Sequence, residues 1–364
     1  MRYLFVTKRS GTQFVDWLKD ELLGANPDLK IDVFVLNNPL KQKLQRWMSE
    51  STANKLSLYI YLLLSTVFKN KKYSTVSLHF AQLDYLPLLP IFRQFAHKFS
   101  LVTWGSDFAK ASNEMRQKLR PIYHFCDSLI FTNDEYAKQA QLAYQVNPKK
   151  CFLCRFPLGT LSTIEALEKT ETPEQSKQAL FLPTDKKMIV CGTNASPAQR
   201  HDLIIDEIIK MPKDVLQKCY FVFPMTYPLG KFAAQIQARL KNVPIDSVVI
   251  NRLVSNRTVG RLRRSTDILI NIQTDDQLSG AMQESLFAGA QVITGTWLPY
   301  EQFEVLNGLH QVADVDKLAE CLQLVLADKY SKEDQQQART KICEISHNSR
   351  MLESWVLALA NDSM

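Results

Sequence analysis

The sequence predicts an α/β protein made of two doubly wound domains with a cleft between them. Short apolar segments alternate with helical segments almost to the end of the chain, which is typical of parallel sheets covered by helices on both faces. A polar stretch near the middle divides this alternation into two sets. The length of 364 residues is enough for two or three domains.

The first set has the pattern of one doubly wound domain. Its predicted strands lie at 2–7, 31–36, 75–79, 100–103, 128–132 and 151–154. Its predicted helices lie at 12–23, 41–68, 85–99, 114–125 and 134–144.

The second set repeats the alternation and ends in helices. Its predicted strands lie at 188–192, 220–224, 247–251, 268–271 and 291–294, and its predicted helices at 202–210, 231–241, 257–264, 280–288, 316–327, 333–344 and 351–360.

The domain boundary is predicted from composition. Residues 163–185 are rich in Glu, Lys, Thr, Gln and Pro, which indicates a polar linker. We therefore expect a first domain at 1–162, a linker at 163–185, a second domain at 186–345, and a C-terminal helix at 346–364 that packs back on the first domain.

Composition indicates an ordinary globular protein. Hydrophobic residues make up 46% of the chain, and the seven cysteines are scattered, which favours reduced thiols in the cytoplasm. Met1 leads directly into a strand-like segment, so no signal peptide is expected. No segment reaches the roughly 18 apolar residues that cross a bilayer.

One apolar segment stands among basic residues. Residues 56–68 are aliphatic and aromatic, with Lys55 before them and Lys69, Lys71 and Lys72 after them, and the net charge of the chain is +7. This pattern predicts either a dock for an anionic membrane surface or a core helix with a solvated basic rim. Because no basic-aromatic motif accompanies the charge, nucleic acid is not an expected partner.

Several fingerprints of known chemistry are absent from the sequence. It contains no G-x-G-x-x-G, no P-loop, no G-x-S-x-G and no H-E-x-x-H, and its six histidines show no paired spacing. We therefore expect no bound metal ion. What remains are polar loops that follow strands, which is where ligands bind in open α/β sheets.

In the first domain this rule selects the loops at 7–11, 79–84, 104–107 and 132–135. His79 stands at a strand end, where it either reaches a ligand or is a satisfied core residue. Asp107 belongs to the next such loop.

In the second domain the rule selects three loops before residue 268. Thr193 and Asn194 form a polar turn, and Arg200 at the next helix start either pairs with a diphosphate through its fork or covers the helix end. Tyr227 either hydrogen-bonds a ligand or packs against other residues of the protein. Arg252 is a candidate for contact with a nucleobase.

The stretch 268–294 predicts a strand, an acidic loop, a short helix and a second strand. Ser279 is a good N-cap, Gly280 allows close approach to the backbone, and Ala281 follows in the first turn. Such a helix start suits a phosphate, and Glu284 could accept hydrogen bonds from sugar hydroxyls. The alternative is an ordinary strand-to-helix turn with a solvated carboxylate.

Taken together, these loops resemble the glycosyltransferases of the GT-B fold, in which two Rossmann-like domains face a cleft. The match is to the retaining group with the motif E-x7-E and a helix ending in A-x-G. Asp276 and Glu284 have that spacing, and the predicted helix ends in Phe-Ala-Gly at 287–289. The resemblance implies that Glu284 holds the ribose of the donor, that Asp276 lies near the donor sugar, and that Arg200 is the family's cationic residue.

The resemblance extends to the first domain. The family's strand-end histidine matches His79, and its T-H-G-S-D run matches residues 103–107, with Trp104 in place of histidine. The loop Gln-Leu-Ser-Gly at 277–280 is a further departure, as is Asp276 in place of Glu.

A second resemblance is to the inverting 4-acetamido-4,6-dideoxygalactose transferases of enterobacterial common antigen, which also have the GT-B fold. It rests on the runs V-C-G-T-N…H and F-P-M-T-Y-P. An inverting reaction would require a base, for which Asp107 and His79 are the candidates.

These resemblances imply a metal-independent transferase without a cofactor. It would move a sugar from a nucleotide diphosphate donor to a glycan or lipid-linked acceptor in bacterial surface polysaccharide synthesis, in the cytoplasm or on the inner face of the plasma membrane. An epimerase or phosphorylase of the same fold, or a non-catalytic sugar-nucleotide-binding protein, is the alternative. The residues implied in donor binding are Glu284, Arg200, Thr193, Asn194, Tyr227, Arg252, Ser279, Gly280 and Ala281, and those implied in catalysis are Asp276, His79 and Asp107.

Overall fold

The predicted strands form two separate parallel sheets in the computed structural model of the chain. The structure describes residues 1–8, 12–69, 72–228, 230–276, 278–346 and 348–360, with only the backbone described at 12–14, 65–69 and 348–350. Most of the predicted loop at 7–11, together with Lys71 and Gln277, lies outside the described residues. The chain divides into two units, Met1–Pro157 with Asn348–Met364, and Leu158–His347.

The first unit contains a six-stranded parallel sheet of order β2-β1-β3-β4-β5-β6. The strands are β1 (Arg2–Thr7), β2 (Lys30–Val35), β3 (Tyr73–His79), β4 (Ala96–Val102), β5 (Ser128–Phe131) and β6 (Cys151–Leu153). Its helices, in chain order, are α1 (Thr12–Ala25), α2 (Pro39–Leu44), α3 (Glu50–Lys69), α4 (Leu89–Phe95), α5 (Ser106–Ala109), α6 (Asn113–Phe125) and α7 (Asp134–Tyr144).

Strand β1 shows how the sheet separates two layers of core. All six of its residues are buried, as expected for a central strand covered on both faces. Leu4 and Val6 pack in one hydrophobic cluster and Tyr3 and Phe5 in another, because successive side chains of a strand point to opposite faces.

The second unit contains a six-stranded parallel sheet of order β12-β11-β10-β7-β8-β9. The strands are β7 (Lys187–Cys191), β8 (Cys219–Pro224), β9 (Ser247–Ile250), β10 (Ile268–Asn271), β11 (Gln291–Gly295) and β12 (Leu309–Val312). Its helices are α8 (Gly159–Glu168), α9 (Pro173–Ala179), α10 (His201–Ile208), α11 (Lys213–Leu216), α12 (Lys231–Leu240), α13 (Asn256–Ser265), α14 (Gly280–Phe287), α15 (Leu318–Ala327) and α16 (Lys332–Ser346).

The last helix, α17 (Asn348–Ala360), packs on the first sheet. The indole Nε1 of Trp355 donates to the Arg155 carbonyl at 2.7 Å, and the Thr75 hydroxyl donates to the Leu359 carbonyl at 2.8 Å. Trp355 is fully buried in the same cluster as Tyr3.

The segment 163–185, for which we expected a linker, contains the end of α8 and all of α9. Apolar residues spaced for one helix face are buried on α8, among them Leu161 and Ile164. At α9, Thr172 and Gln175 form a capping box. Polar composition therefore reflects the solvated faces of two short helices.

Two predicted helices differ from the structure, and one strand was not predicted. The helix expected at 41–68 is two helices, because Ser49 accepts a hydrogen bond from Thr52 N at 3.2 Å and starts a new one. The helix expected at 85–99 ends at Phe95, since Ala96 pairs with Tyr73 of β3. Strand β12, with its partly polar sequence at one edge of the sheet, was not predicted.

Strand order places a switch point in each sheet. In the second unit the chain order reverses between β7 and β10, and in the first unit between β1 and β3. Loops at the carboxyl ends of such strands leave a crevice that binds ligands in doubly wound folds. Among the described residues, no helix is long and apolar enough to cross a membrane.

Candidate functional site

The loops at the carboxyl ends of β7, β8 and β10 are joined to one another by backbone hydrogen bonds. Ala195 N donates to the Tyr227 carbonyl at 2.5 Å, which links the loops after β7 and β8. Thr274 N donates to the Ala198 carbonyl at 2.9 Å, which links the loops after β10 and β7. The switch point of the second sheet is therefore a single connected surface.

The loop after β7 depends on a glycine and a buried histidine. Gly192 has φ +68°, and a Cβ at this position would lie 2.4 Å from Cε1 of His201. His201 is fully buried, and its Nε2 lies 2.8 Å from the Asn194 carbonyl. Because burial lowers the pKa of this imidazole, it is neutral near pH 7 and Nε2–H is the donor. The buried His201 side chain therefore fixes the turn that contains Asn194 by a hydrogen bond to its carbonyl.

The start of α14 has the predicted cap. The Ser279 hydroxyl accepts from Met282 N at 3.2 Å, so Ser279 is the N-cap. The group that approaches Gly280 closely is Leu158 of the same unit, whose Cδ2 would lie 3.0 Å from an added Cβ. The small size of Gly280 therefore serves packing, and Ala281 follows it half-buried in the first turn.

Glu284 lies one turn further along α14 and is not solvated. Its Oε2 accepts from Nε of Arg263 at 2.9 Å, and both side chains are more than nine-tenths buried. Arg263 belongs to the last turn of α13 and was missed by the sequence analysis. The sequence contains the run R-L-R-R at 261–264, but this pattern does not show which arginine is buried.

Asp276 is held by side chains from two directions. Its Oδ2 accepts from Nε2 of Gln273 at 2.6 Å and from the Tyr300 hydroxyl at 2.5 Å. Tyr300 is buried, and its oxygen also accepts from Nδ2 of Asn271 at 3.2 Å. Burial raises the pKa of the Tyr300 phenol well above its ordinary value, so it stays a donor. Nowhere in the described parts of the chain do three or more His, Cys, Asp or Glu side chains form a group that could hold a metal ion.

Gln199 connects Gln273, the partner of Asp276, to Thr193 in the loop after β7. Its Nε2 donates to Oε1 of Gln273 at 2.6 Å, and its own Oε1 accepts from Thr193 N at 2.9 Å. The Thr193 hydroxyl donates to the same oxygen at 3.2 Å. The polar groups of Thr193 that we expected to face a ligand are therefore bonded to Gln199.

The phenol of Tyr227 is affected by three predicted residues and by Arg263. Its side chain is 47% exposed, and burial of the rest raises the pKa of the phenol. Arg263 and a hydrogen bond with Asn194 lower that pKa, whereas Glu284 and Asp276 raise it. These four residues act on one phenol, and together with Tyr227 we call them the strand-end cluster: Asn194, Tyr227, Arg263, Asp276 and Glu284.

Arg200 lies over an aromatic ring that is bonded to the same loop. Its guanidinium carbon is 5.0 Å from the ring centre of Trp297, whose Nε1 donates to the Gln273 carbonyl at 2.7 Å. Arg200 has φ 56°, the left-handed conformation, at the start of α10. Stacking holds the guanidinium beside the switch point while leaving its edge available for hydrogen bonds.

Arg252 is further from this group. It is exposed and follows β9, the edge strand of the sheet. Two strands, β7 and β8, separate β9 from β10, so the two strand ends lie about 14 Å apart at the usual spacing. Arg252 is placed for an extended ligand rather than for the strand-end cluster itself.

Asp107 in the first unit has a backbone-holding role. Its Oδ2 accepts from Ala81 N at 2.7 Å, and its Oδ1 accepts from Trp104 N at 3.0 Å and Gly105 N at 2.8 Å. Gly105 has φ 95°, which permits the turn. Burial raises the pKa of Asp107 to about 6, against the effect of these three donors. The carboxylate joins the loops after β3 and β4.

His79 is a core residue. Its side chain is fully buried, with the Phe5 ring centre at 4.8 Å and the Trp355 ring stacked at 6.5 Å. Burial lowers its pKa to about 3, so the imidazole is neutral. A side chain without exposed surface does not touch a substrate, and we remove His79 from the candidate reacting groups.

A cavity of about 340 Å³ lies at the opposite end of the strands of the second sheet, where these strands begin. Its lining includes Lys187, Ile268 and Gln291, the first residues of β7, β10 and β11. Ligands of doubly wound sheets bind at the other ends of the strands, so we do not assign a donor sugar to this cavity.

Comparison with solved structures agrees with the two-sheet architecture. Sucrose-phosphate synthase from Thermosynechococcus elongatus is 11% identical with TM-score 0.72, and the alignment covers 98% of each chain. Anabaena HepE in complex with UDP-glucose is 11% identical with TM-score 0.71 and 99% of each chain covered. A glycosyltransferase from Rickettsia africae is 12% identical with TM-score 0.72, covering 100% of this chain and 99% of that one.

At the level of sequence, no family model matches the chain, and no curated protein matches it. The likeness extends over the full length of these structures and includes both sheets. The predicted fold class is confirmed, and the chain has the GT-B fold.

Proposed function

We propose that the protein is a glycosyltransferase that moves a sugar from a nucleotide diphosphate donor to a glycan or lipid-linked acceptor in bacterial surface polysaccharide synthesis. The observation that carries the proposal is the strand-end cluster at the switch point of the second sheet. Further support is the shared fold with a protein whose structure was solved with UDP-glucose.

The diphosphate is assigned to the start of α14 and to Arg200. A helix start presents N–H groups and a partial positive charge, and Ser279 fixes its backbone. Arg200 supplies a guanidinium already oriented by Trp297. Together they would neutralise charge on the leaving diphosphate, so the proposed reaction needs no divalent ion.

The sugar and ribose are assigned to the two carboxylates. Asp276 is fixed by Gln273 and Tyr300, which suits a group that orients the donor sugar. Glu284 uses Oε2 for Arg263, while its Oε1 makes no hydrogen bond with the described residues and is proposed to accept from a ribose hydroxyl.

A retaining outcome is supported by the first unit. An inverting reaction needs a base that reaches the acceptor hydroxyl. His79 is fully buried, and Asp107 is engaged with three backbone N–H groups, so neither predicted base is free for that task.

The first experiment is a thermal-shift panel of UDP, dTDP, GDP and ADP, each with and without EDTA. One diphosphate should raise the melting temperature in both conditions, since a ligand at 100 times its Kd stabilises the native state by about 2.7 kcal/mol. An Asp276→Asn variant should keep this shift and lose sugar transfer.

Failure of all four nucleotides to stabilise the protein at millimolar concentration would refute the donor assignment. Product formed from the sugar nucleotide without acceptor would indicate an epimerase, and strict dependence on phosphate would indicate a phosphorylase. Binding without any turnover would indicate a non-catalytic sugar-nucleotide-binding protein.

A further inference from the structure

Helix α3 of the first unit has apolar residues on two faces. Leu58 and Leu62 are fully buried in the core of the unit. Leu56, Tyr59 and Leu63 follow the helical spacing of three and four residues on the other side, and all three are exposed. A helix that only covered its sheet would have polar residues along that second face.

Two more apolar residues in this part of the chain are exposed. Leu64, next to this stripe, is 53% exposed, and Trp47, in the turn between α2 and α3, is 87% exposed. We call Trp47, Leu56, Tyr59, Leu63 and Leu64 the α3 surface. From Leu56 to Leu64 the helix rises about 12 Å, so this surface covers a little over two turns of α3.

Three basic residues lie in the same part of the chain, on α2, in the turn after it and in the first half of α3. Lys43, Arg46 and Lys55 are exposed, and none of the three has an acidic side chain within ion-pair distance in the described parts of the chain. The acidic residue beside them, Glu50, is paired with Lys41 at 2.7 Å. The charge around the apolar residues is therefore positive and uncompensated.

We propose that the α3 surface docks on an anionic phospholipid bilayer. An apolar helix face rimmed by Lys and Arg, with an exposed tryptophan, has the chemistry of helices that lie in the lipid headgroup region. Protein interfaces are depleted in lysine, which favours lipid over a protein partner. The proposal goes beyond the proposed sugar transfer and its test does not require activity.

The tryptophans of the chain make the test specific. Of the five, Trp47 alone is exposed, because Trp17, Trp104 and Trp297 are partly buried and Trp355 is fully buried. Vesicles of phosphatidylcholine with 30% phosphatidylglycerol should shift the fluorescence emission to the blue, and brominated lipid should quench it. Both signals should be absent in Trp47→Phe, which should still sediment with the vesicles.

The charge requirement is tested with a matched pair of triple variants. Lys43→Gln, Arg46→Gln and Lys55→Gln together should lower vesicle binding about 100-fold, since each basic residue near an anionic surface contributes about fivefold. Lys213→Gln, Lys218→Gln and Lys241→Gln remove the same three charges from exposed positions of the second unit and should bind as wild type.

The apolar requirement is tested with Leu64→Asn, which should weaken binding while leaving the urea unfolding midpoint unchanged, because Leu64 is exposed. Equal losses in the two triple variants would show non-specific attraction and overturn the assignment of the surface. Absence of vesicle binding would also overturn it, as would a dimer that dissociates in Leu64→Asn.

Discussion

Arg263 and Glu284 form a buried ion pair that joins α13 to α14, with Nε of Arg263 donating to Oε2 of Glu284 at 2.9 Å. Glu284 is also the carboxylate that we assign to the ribose of the donor. The same side chain therefore has a structural partner on one oxygen and a proposed ligand on the other. Removal of Glu284 would leave a guanidinium in the protein interior without its counter-charge.

For this reason Glu284→Ala should lower the free energy of unfolding by about 3–5 kcal/mol as well as abolish turnover. Glu284→Gln should cost less stability, because its amide oxygen still accepts from Arg263. Urea unfolding of the two variants measures the difference, with exposed Glu304→Ala as the control. A Glu284→Ala midpoint equal to that of the control would show that the pair contributes nothing.

Tyr300→Phe tests the orientation of Asp276. The change removes the donor at 2.5 Å from Oδ2 and leaves Nδ2 of Asn271 without its acceptor, which should cost about 1–3 kcal/mol of stability. We expect kcat to fall about 10- to 100-fold through misplacement of the carboxylate, with little change in nucleotide affinity.

Tyr330→Phe is the matched control for that prediction. The Tyr330 hydroxyl is buried in the second unit and has no hydrogen-bond partner among the described residues. Its removal should therefore leave kcat unchanged and stability unchanged or slightly higher. An unchanged kcat in Tyr300→Phe, in a protein that Asp276→Asn inactivates, would contradict the positioning role.

The elements predicted correctly are those that local sequence determines. β1 and β10 have the predicted bounds, because each is a short apolar run that ends at a polar residue, Thr7 in β1 and Asn271 in β10. Ser279 is the N-cap as predicted, since capping depends on neighbours within three residues. β12 was missed because its two central residues, His310 and Gln311, are polar. They are half-buried in the structure, where β12 pairs with β11.

The candidate site was predicted less completely because its contacts join distant segments. The spacing of Asp276 and Glu284 was visible, but their partners Tyr300 and Arg263 come from other elements. His79 shows the same effect in reverse. Its place at a strand end suggested a ligand, whereas the stacking of Trp355 from α17 removes it from solvent.

Arg200 is predicted to act on the diphosphate and not on the nucleoside. Arg200→Asn removes the cation with little added backbone strain, since asparagine tolerates the left-handed conformation that this position has. The affinity for the nucleoside diphosphate should fall about 10- to 100-fold, as expected for hydrogen bonds to a charged group. Affinity for the matching nucleoside should stay the same.

Arg200→Lys should recover little of that loss, because lysine has neither the planar fork nor the stacking on Trp297. Titration calorimetry with nucleoside and diphosphate measures both, with Lys241→Gln as a control for net charge. Equal losses for the two ligands would place Arg200 away from the phosphates.

The buried His79 should make the first unit sensitive to acid. Its pKa is lowered to about 3 by burial, whereas an unfolded histidine titrates near 6.5. Its contribution to stability is therefore full above pH 6.5 and is lost as pH falls toward 3. Between pH 7 and pH 5 this residue alone should lower the free energy of unfolding by about 2 kcal/mol.

His79→Met, similar in size and without charge, should lack that part of the pH dependence. Urea unfolding of both proteins at pH 7 and pH 5 measures it as a difference of differences, which cancels the opposite effect of Asp107, whose pKa is raised to about 6. Equal shifts in the two proteins would mean that the imidazole titrates normally. Sugar transfer supplies a second readout, since a core residue can be replaced with a loss of only a few-fold, whereas a 100-fold loss at unchanged stability would return His79 to the reacting groups.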